Sequence, residues 1–198
     1  FAYSRMIPNM VIMAPKDENE LQHMLKTALY SGQPCVLRYP RGSGEGVPLD
    51  QNFQTLPIGR GEVLKQGGEV YLLAIGSTVY PAMKAAQLIE KEGIPCGVVN
   101  MRFVKPIDTQ LLKELLQQTP NFVTIEEHVL AGGFGSAVME AMEGTDVRIH
   151  RIGIPDKFIE HGPQNVLRDM VGLSPEKIAQ STLEFLRSSK AARSAVRS

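Results

Sequence analysis

Two arginines follow a short apolar segment near the start of the chain. The segment 34–37 predicts a strand, and Arg38, Tyr39 and Arg41 come directly after it. Ligands of open α/β sheets gather beyond the carboxyl ends of the strands, and the planar guanidinium group binds phosphate or carboxylate through paired hydrogen bonds. The pattern therefore indicates a site for a phosphorylated or acidic small molecule. On the pattern alone, the alternative stays open that Arg38 and Arg41 only form ion pairs with carboxylates at a domain edge.

Composition and charge restrict the kinds of partner. The 198 residues are 43% hydrophobic and 21% charged, and 21 Lys and Arg residues balance 21 Asp and Glu residues. A chain of this kind is long enough for one or two globular domains with cores. Because it has no broad basic field, we expect neither nucleic acid nor an anionic membrane as a partner, and any recognition of anions must be local.

The cysteines and the start of the sequence bear on the compartment. Cys35 and Cys96 lie far apart in apolar segments, which favours neither a disulfide framework nor a zinc site and fits a reducing compartment. No apolar stretch approaches the roughly 18 residues of a membrane span, and the start lacks the pattern of a signal peptide. Because the sequence opens at Phe1 without a start signal of its own, we expect a fragment or a processed polypeptide.

The first 44 residues predict a β-α-β unit. A strand over 10–14 precedes a helix that Asp17 caps, with Glu20 reaching back in a capping box. A strand over 35–39 follows, and the helical crossover predicts that the two strands are parallel. The apolar face of the helix is expected at Leu21, Met24, Leu25, Ala28 and Leu29. Two strands and one helix are too few for a domain, so we expect this segment to be the end of a larger one.

The remainder divides into a connector, a second domain and a tail. Glycine and proline punctuate residues 45–66, which predicts an irregular connector, and near its end 62–65 and 70–73 fit a hairpin. Strand and helix patterns alternate from 67 to 187, which predicts a three-layer α/β domain with a mainly parallel sheet. The tail, 188–198, is polar, basic and rich in small residues, and is expected to be disordered.

Three further groups of residues carry weaker signals for chemistry. The run Gly-Gly-Phe-Gly-Ser at 132–136 precedes a helix whose first N–H groups could hold an anion, but its spacing favours a tight turn packed against a neighbouring domain. Glu126, Glu127 and His128 follow a strand at the edge used for acid–base chemistry; adjacent carboxylates point in different directions, however, and an interface role is an equal alternative. His161 lies in a loop, where it suits a polar contact to a ligand or partner as well as a plain surface position.

Several motifs occur together in one order along the chain. They are IPNM at 7–10, PKDENEL at 15–21, RYPRG at 38–42, NMRFVKPID at 100–108, EEH at 126–128 with GGFGS at 132–136, and GIPD at 153–156 with FI at 158–159. As a set, and over nearly the whole chain, they resemble the 1-deoxy-D-xylulose-5-phosphate synthase family of transketolase-like enzymes. The resemblance is to its carboxyl-terminal third only, which comprises the end of a pyrimidine-binding domain, up to about residue 44, and a transketolase C-terminal domain.

The resemblance implies an enzyme that depends on thiamine diphosphate and Mg²⁺. Such enzymes decarboxylate pyruvate and condense its two-carbon unit with glyceraldehyde 3-phosphate, which gives CO₂ and 1-deoxy-D-xylulose 5-phosphate, a precursor of isoprenoids, thiamine and pyridoxal. Arg41 matches the arginine that holds the acceptor's phosphate, and Arg38, Tyr39 and His161 are expected to support it. The family's catalytic, cofactor-binding and metal-binding groups belong upstream of Phe1, so we expect this chain alone to be inactive.

The resemblance also implies partners and a compartment. We expect the upstream part of the same protein, small-molecule substrates, and a second copy in a homodimer whose active sites combine different domains. The compartment is expected to be the bacterial cytoplasm, or the plastid stroma for a plant or algal source. Two alternatives stay open. A β-subunit of a 2-oxoacid dehydrogenase should carry a complete pyrimidine-binding domain, and a non-catalytic α/β binding module should show a basic groove or a phosphate loop.

Overall fold

The computed structural model describes residues 1–197, with side chains through residue 188. Its helices and strands, in chain order, are α1 (Ala2–Arg5), β1 (Val11–Met13), α2 (Glu18–Tyr30), β2 (Cys35–Leu37), β3 (Glu62–Lys65), β4 (Val70–Ala74), α3 (Val79–Lys91), β5 (Cys96–Asn100), β6 (Phe103–Lys105), α4 (Thr109–Leu116), β7 (Asn121–Val129), α5 (Phe134–Ala141), β8 (Arg148–Ile154), α6 (Gln164–Met170) and α7 (Pro175–Arg197). Across the described residues, no helix combines the length and apolar character that a membrane crossing needs.

The larger sheet has five strands in the order β3-β5-β4-β7-β8. Four of them are parallel, and β3 runs antiparallel to β5 at one edge. All five residues of β4 are buried, because helices cover both faces of the sheet. On one face α3 and α7 contribute to the core, and on the other α4 and α5 do so. The predicted three-layer α/β domain with a mainly parallel sheet is confirmed.

A second sheet has three strands in the order β2-β1-β6. β1 and β2 are parallel, as the helical crossover predicts, whereas β6 is antiparallel to β1 and comes from the far side of the connector. The sequence does not predict β6, because a three-residue strand with a distant partner has no periodicity of its own. Ile12 of β1 also lies in the same core cluster as Tyr71 and Phe134. The first 44 residues and the second domain therefore share a core.

The predicted hairpin between residues 62–65 and 70–73 is wrong. β3 pairs with β5 rather than with β4, because β4 lies at the centre of the sheet and both of its edges are taken by β5 and β7. β3 also falls inside the segment 45–66, so the irregular part of the connector is shorter than the sequence indicates.

The connector is irregular, but α2 holds it in place. The Glu18 carboxylate accepts hydrogen bonds from three backbone N–H groups, those of residues 45, 46 and 47, at 2.6–3.0 Å. Further along α2, His23 Nδ1 accepts from the N–H of Gln54 at 3.0 Å, and Thr27 Oγ1 accepts from that of Leu56 at 2.7 Å. Side chains of α2 thus replace the regular hydrogen bonds that the connector lacks.

The predicted apolar face of α2 is only partly correct. Met24 is fully buried, but Leu25 and Leu29 are 53% and 75% exposed. The buried polar residues Glu20 and His23 occupy the inner side of the helix instead, because that side meets the connector and the second domain through hydrogen bonds. The outer side of α2 remains open to solvent within the described residues.

The last helix extends beyond the predicted boundary. Ser174 and Pro175 begin it as expected, and α7 continues to Arg197. The backbone therefore differs from the disordered tail that the sequence predicts over 188–198; this segment is rich in alanine, lysine and arginine, which favour helix. Ser198 lies outside the described residues.

Candidate functional site

The loop after β2, residues 38–44, carries the predicted anion site. Tyr39 is 61% exposed, and Arg41 is exposed beside it. Among the described residues, none forms a hydrogen bond or an ion pair with the Arg41 guanidinium. Within this part of the chain the ion-pair alternative therefore does not hold for Arg41, and the structure leaves its five N–H donors open to a phosphate or carboxylate from solution.

Arg38 is placed differently, although it lies only three residues away. Its Nη2 donates a hydrogen bond to the carbonyl oxygen of Glu127 at 2.6 Å, and its guanidinium carbon lies 5.5 Å from the centroid of the Phe1 ring. That ring stacks in turn on His128, with 5.1 Å between the centroids. Arg38 is thus committed to contacts inside the chain, which suits support of the loop rather than binding of a ligand.

Glu127 lies where the connections of the larger sheet leave in opposite directions, at the carboxyl ends of β4 and β7. Open α/β sheets bind ligands in the crevice at such a point. In this chain, side chains of Ser77 and Arg168 occupy that position and bind Glu127. Ser77 Oγ donates to Glu127 Oε2 at 2.7 Å, and Arg168 donates to the same oxygen through Nη2 at 2.7 Å and Nε at 3.1 Å.

Glu126 points into the core instead. Its side chain is fully buried, and its oxygens accept hydrogen bonds from the N–H groups of Phe134 at 2.6 Å and Gly135 at 2.8 Å, at the start of α5. Burial raises the pKa of the Glu126 carboxyl to about 7, although these two amide groups and the Arg151 charge oppose the shift. The Glu126 carboxyl group therefore accepts the first free N–H groups of α5 from inside the chain. As expected, the adjacent carboxylates point in different directions, Glu126 to the start of α5 and Glu127 to Ser77 and Arg168.

The glycine-rich run is a tight turn packed against the first region of the chain, as the sequence favours. Gly132 has a φ of +68°, and a Cβ there would lie 3.1 Å from that of Ala2. Arg5 of α1 donates to the carbonyl oxygens of Gly132 and Gly133 at 3.0 and 3.3 Å. A Cβ at Gly133 would lie 2.2 Å from Glu126 Oε2. Position 133 therefore requires glycine, because a larger residue would displace the Glu126 carboxylate. That carboxylate also occupies the place where an external anion would bind.

A polar cluster joins the first region to the second domain behind this site. Asn100 Nδ2 donates to both Glu20 oxygens at 2.9 and 3.1 Å, and Arg102 Nε donates to Glu20 Oε1 at 2.7 Å. Arg102 Nη2 also binds Glu62, at 2.7 Å. Burial raises the pKa of Glu20, but the charges of Lys16 and Arg102 and the Lys16 N–H outweigh it and hold this pKa below its usual value. Part of the motif over 100–108 thus has a structural role.

His161 is exposed in the loop before α6 and has no hydrogen-bond partner among the described residues. It is not part of a metal site there: in the described part of the chain no three His, Cys, Asp or Glu side chains are grouped so that they could hold an ion. The residues present therefore do not fit the Mg²⁺ that the resemblance implies.

Sequence reasoning missed the partners of Glu127, above all Arg168. The two residues are 41 positions apart, and Arg168 lies in a short helix without a recognisable motif. The local signal was the pair of adjacent glutamates near the end of β7. That pair does not indicate which of the two carboxylates binds Arg168 and which binds the start of α5.

Two family models match the chain. The model described as the transketolase C-terminal domain matches residues 59–178, and the model described as the transketolase pyrimidine binding domain matches residues 1–45. The first match covers more than half of the chain.

Curated relatives agree with these matches. A 1-deoxy-D-xylulose-5-phosphate synthase from Heliobacterium modesticaldum is 53% identical over 186 residues, which are 93% of this chain and 29% of that protein. One from Symbiobacterium thermophilum is 50% identical over 202 residues, 100% of this chain and 31% of that protein. The chain thus spans less than a third of the length of the curated relatives it matches.

Solved structures give the same architecture. A split-gene transketolase, described as an inactive β4 tetramer, superposes with a TM-score of 0.85 at 35% identity, over 94% of this chain and 61% of that one. A transketolase mutant from Pichia stipitis superposes with a TM-score of 0.70 over 96% of this chain and 27% of that one, and at 22% identity it bears on the fold alone.

Proposed function

Because this chain belongs to the transketolase family and resembles 1-deoxy-D-xylulose-5-phosphate synthases at about 50% identity, we propose that it is the carboxyl-terminal part of such a synthase. The complete enzyme would join pyruvate to glyceraldehyde 3-phosphate, with release of CO₂, and give 1-deoxy-D-xylulose 5-phosphate. This chain would supply the binding site for the acceptor's phosphate and the scaffold that carries it.

The observation that carries this proposal is the contrast between Arg41 and Arg38. Arg38 is bound within the chain, to the Glu127 carbonyl, whereas Arg41 is exposed at a strand end and has no partner among the described residues. A guanidinium group without a partner in the protein can form paired, charge-assisted hydrogen bonds to a phosphate dianion. Arg41 would therefore bind and orient glyceraldehyde 3-phosphate, and Tyr39 and His161 would lie at the edge of that site.

Thiamine diphosphate and Mg²⁺ would be held by the upstream part of the enzyme. Relatives are about three times as long as this chain, and its described residues offer no cluster suited to a metal ion. No step of the reaction is therefore assigned to a residue of this chain beyond binding, orientation and support.

Two exposed surfaces support the proposal that a further part of the pyrimidine-binding domain packs against this chain. β2 pairs with β1 on one side only, within the described residues, and an open strand edge invites a further strand. The outer side of α2 also exposes Leu25, Leu29 and Tyr30 by 53–76%. We propose that the upstream polypeptide covers both surfaces, and that the complete enzyme is a homodimer in the bacterial cytoplasm.

The first test is the reaction itself. We expect 1-deoxy-D-xylulose 5-phosphate to form from pyruvate and glyceraldehyde 3-phosphate when this chain is joined to or mixed with its upstream polypeptide, in the presence of thiamine diphosphate and Mg²⁺. We expect no product from the chain alone. Turnover by the chain alone would contradict the placement of the catalytic groups upstream, and a complete protein that uses a 2-oxoacid dehydrogenase substrate instead would favour that alternative.

The phosphate site is tested by Arg41→Ala in the complete enzyme. Loss of a charge-assisted contact should raise KM for glyceraldehyde 3-phosphate by about 10- to 100-fold, with KM for pyruvate unchanged. Arg187→Ala is the matched control, because Arg187 is also an exposed arginine but lies on α7. If Arg41→Ala and Arg187→Ala give the same KM, the assignment of the phosphate to Arg41 is wrong.

A further inference from the structure

The loop that carries Arg41 lies close to the second domain at two places. At its start, Arg38 Nη2 donates to the Glu127 carbonyl oxygen at 2.6 Å. Near its end, the backbone of Gly42 lies beside Gln164, since a Cβ on Gly42 would be 3.5 Å from Gln164 Oε1. The position of Arg41, which lies between these contacts, therefore depends on β7 at one end and on α6 at the other.

Arg168 connects the two places. Its Nη2 and Nε donate to Glu127 Oε2 at 2.7 and 3.1 Å, which ties α6 to the end of β7. Gln164 lies four residues before Arg168 in α6, and residues with this spacing share one side of a helix. The side of α6 that holds Glu127 thus also presents Gln164 to the loop.

Few other contacts fix α6. It has seven residues, none of them buried, and Val166 and Met170 are 48% and 66% exposed. The side chains of Arg168 and Glu127, by contrast, are only 22% and 19% exposed. A helix without a buried apolar residue depends on such polar contacts for its position.

We propose that Arg168 is a positioning residue for phosphate binding, which acts by anchoring α6 and the end of β7 to each other through Glu127 and so fixes both ends of the loop that carries Arg41. The inference rests on the proposed function, since it assigns a phosphate to Arg41. Arg168 does not touch the ligand. By restricting the conformations of the loop before the ligand binds, Arg168 lowers the entropy cost of ordering the loop on binding.

The experiment compares two acceptors in the complete enzyme, glyceraldehyde 3-phosphate and glyceraldehyde, which lacks the phosphate. For Arg168→Ala we expect kcat/KM to fall about tenfold with the phosphorylated acceptor and to stay within about twofold with glyceraldehyde. Arg168→Lys, which keeps one charged donor, should recover part of the loss. Arg187→Ala is the control and should change neither value. Equal losses with both acceptors would mean that Arg168 has only a general structural role, and would overturn the proposal.

A double-mutant cycle separates this inference from the assignment of Arg41. If Arg168 acts through Arg41, then adding Arg168→Ala to Arg41→Ala should cause little further change in the ratio of the two kcat/KM values. If Arg41→Ala raises KM for the phosphorylated acceptor and Arg168→Ala does not, the positioning role alone is wrong. If Arg41→Ala has no effect, the phosphate assignment itself is wrong.

Gln164→Ala keeps the proposal testable should Arg168→Ala fail to fold. Gln164 is exposed, so its loss should leave the fold intact while removing the side chain that α6 places beside Gly42. We expect a smaller loss of kcat/KM, about two- to fivefold and confined to the phosphorylated acceptor. We also expect faster hydrogen exchange over residues 38–44 in this variant. Unchanged exchange together with unchanged kinetics would overturn the proposal.

Discussion

Two places in this chain are suited to hold an anion, and they differ in whether the chain supplies the anion itself. At the start of α5 the N–H groups of Phe134 and Gly135 bind the buried carboxylate of Glu126 at 2.6 and 2.8 Å. Beyond β2, Arg41 is exposed and has no partner among the described residues. The Glu126 carboxyl group fills the first place, whereas the second is the one that we propose binds a ligand.

The comparison shows why a motif that can bind an anion does not by itself indicate a ligand site. The glycine run at 132–136 and the arginine loop at 38–44 both follow strands, and both have suitable donors. Their surroundings differ: Glu126 binds the glycine run, whereas no carboxylate of the described residues binds Arg41. Substitutions at the closed place should therefore change stability, and substitutions at the open place should change affinity.

The largest expected effect concerns the pH dependence of stability at the closed place. Burial raises the pKa of Glu126 to about 7 from its ordinary value of 4.5, so between these values the folded chain binds a proton that the unfolded chain lacks. The free energy of unfolding should therefore fall as pH rises through this range, by about 3 kcal/mol for a shift of this size. Glu126→Gln cannot titrate and should lack this part of the slope.

The measurement is chemical denaturation of the wild type and Glu126→Gln at several pH values from 4 to 8. Only the difference between the two proteins is used, because His128 titrates in both; burial lowers its pKa. Parallel pH profiles would show that the folded chain holds Glu126 ionised throughout, as a tight internal anion with an ordinary or low pKa.

A smaller effect is expected from Gly133→Ala. The added Cβ would lie 2.2 Å from Glu126 Oε2 and 2.8 Å from the Val129 carbonyl oxygen, so either the carboxylate or the turn must move. Overpacking of this kind costs about 1–3 kcal/mol of unfolding free energy. Gly68→Ala is the control, because its Cβ would meet only Pro95, at an ordinary 3.4 Å. Equal denaturation midpoints for the two variants would mean that the turn is not held by Glu126.

The smallest expected effect on stability is that of Arg41→Ala. An exposed side chain without a partner contributes little to folding, so the free energy of unfolding should change by no more than about 0.5 kcal/mol. The same variant is expected to lose affinity for glyceraldehyde 3-phosphate. A thermal or chemical denaturation curve checks the first statement. A clear loss of stability would show that Arg41 is committed to the fold like Arg38, and would remove the contrast between the two places.

Local chemistry predicted several elements correctly. Asp17 caps α2 by accepting from the N–H of Glu20 at 2.7 Å, and Asp108 caps α4 by accepting from that of Leu111 at 3.0 Å. The alternation of strand and helix correctly predicted a mainly parallel sheet, because two strands of one sheet that are joined by a helical crossover are usually parallel. The predictions that were wrong involved pairing over a distance. β3 joins β5 instead of β4, and β6 joins β1, which no local pattern reveals.

The same division holds for the functional residues. Residue types and their spacing along the chain were enough to show where arginine follows a strand, where glycine permits a turn, and which family the motifs resemble. The three-dimensional packing was needed to show that Glu126 fills the start of α5 and that Arg168 supports Glu127 from 41 positions away. It was also needed to show that Arg38 is bound to Glu127 while Arg41 has no partner among the described residues. Which donor meets which acceptor depends on how the strands are ordered and the helices packed, and that order is set by burial over the whole chain rather than by neighbours in sequence.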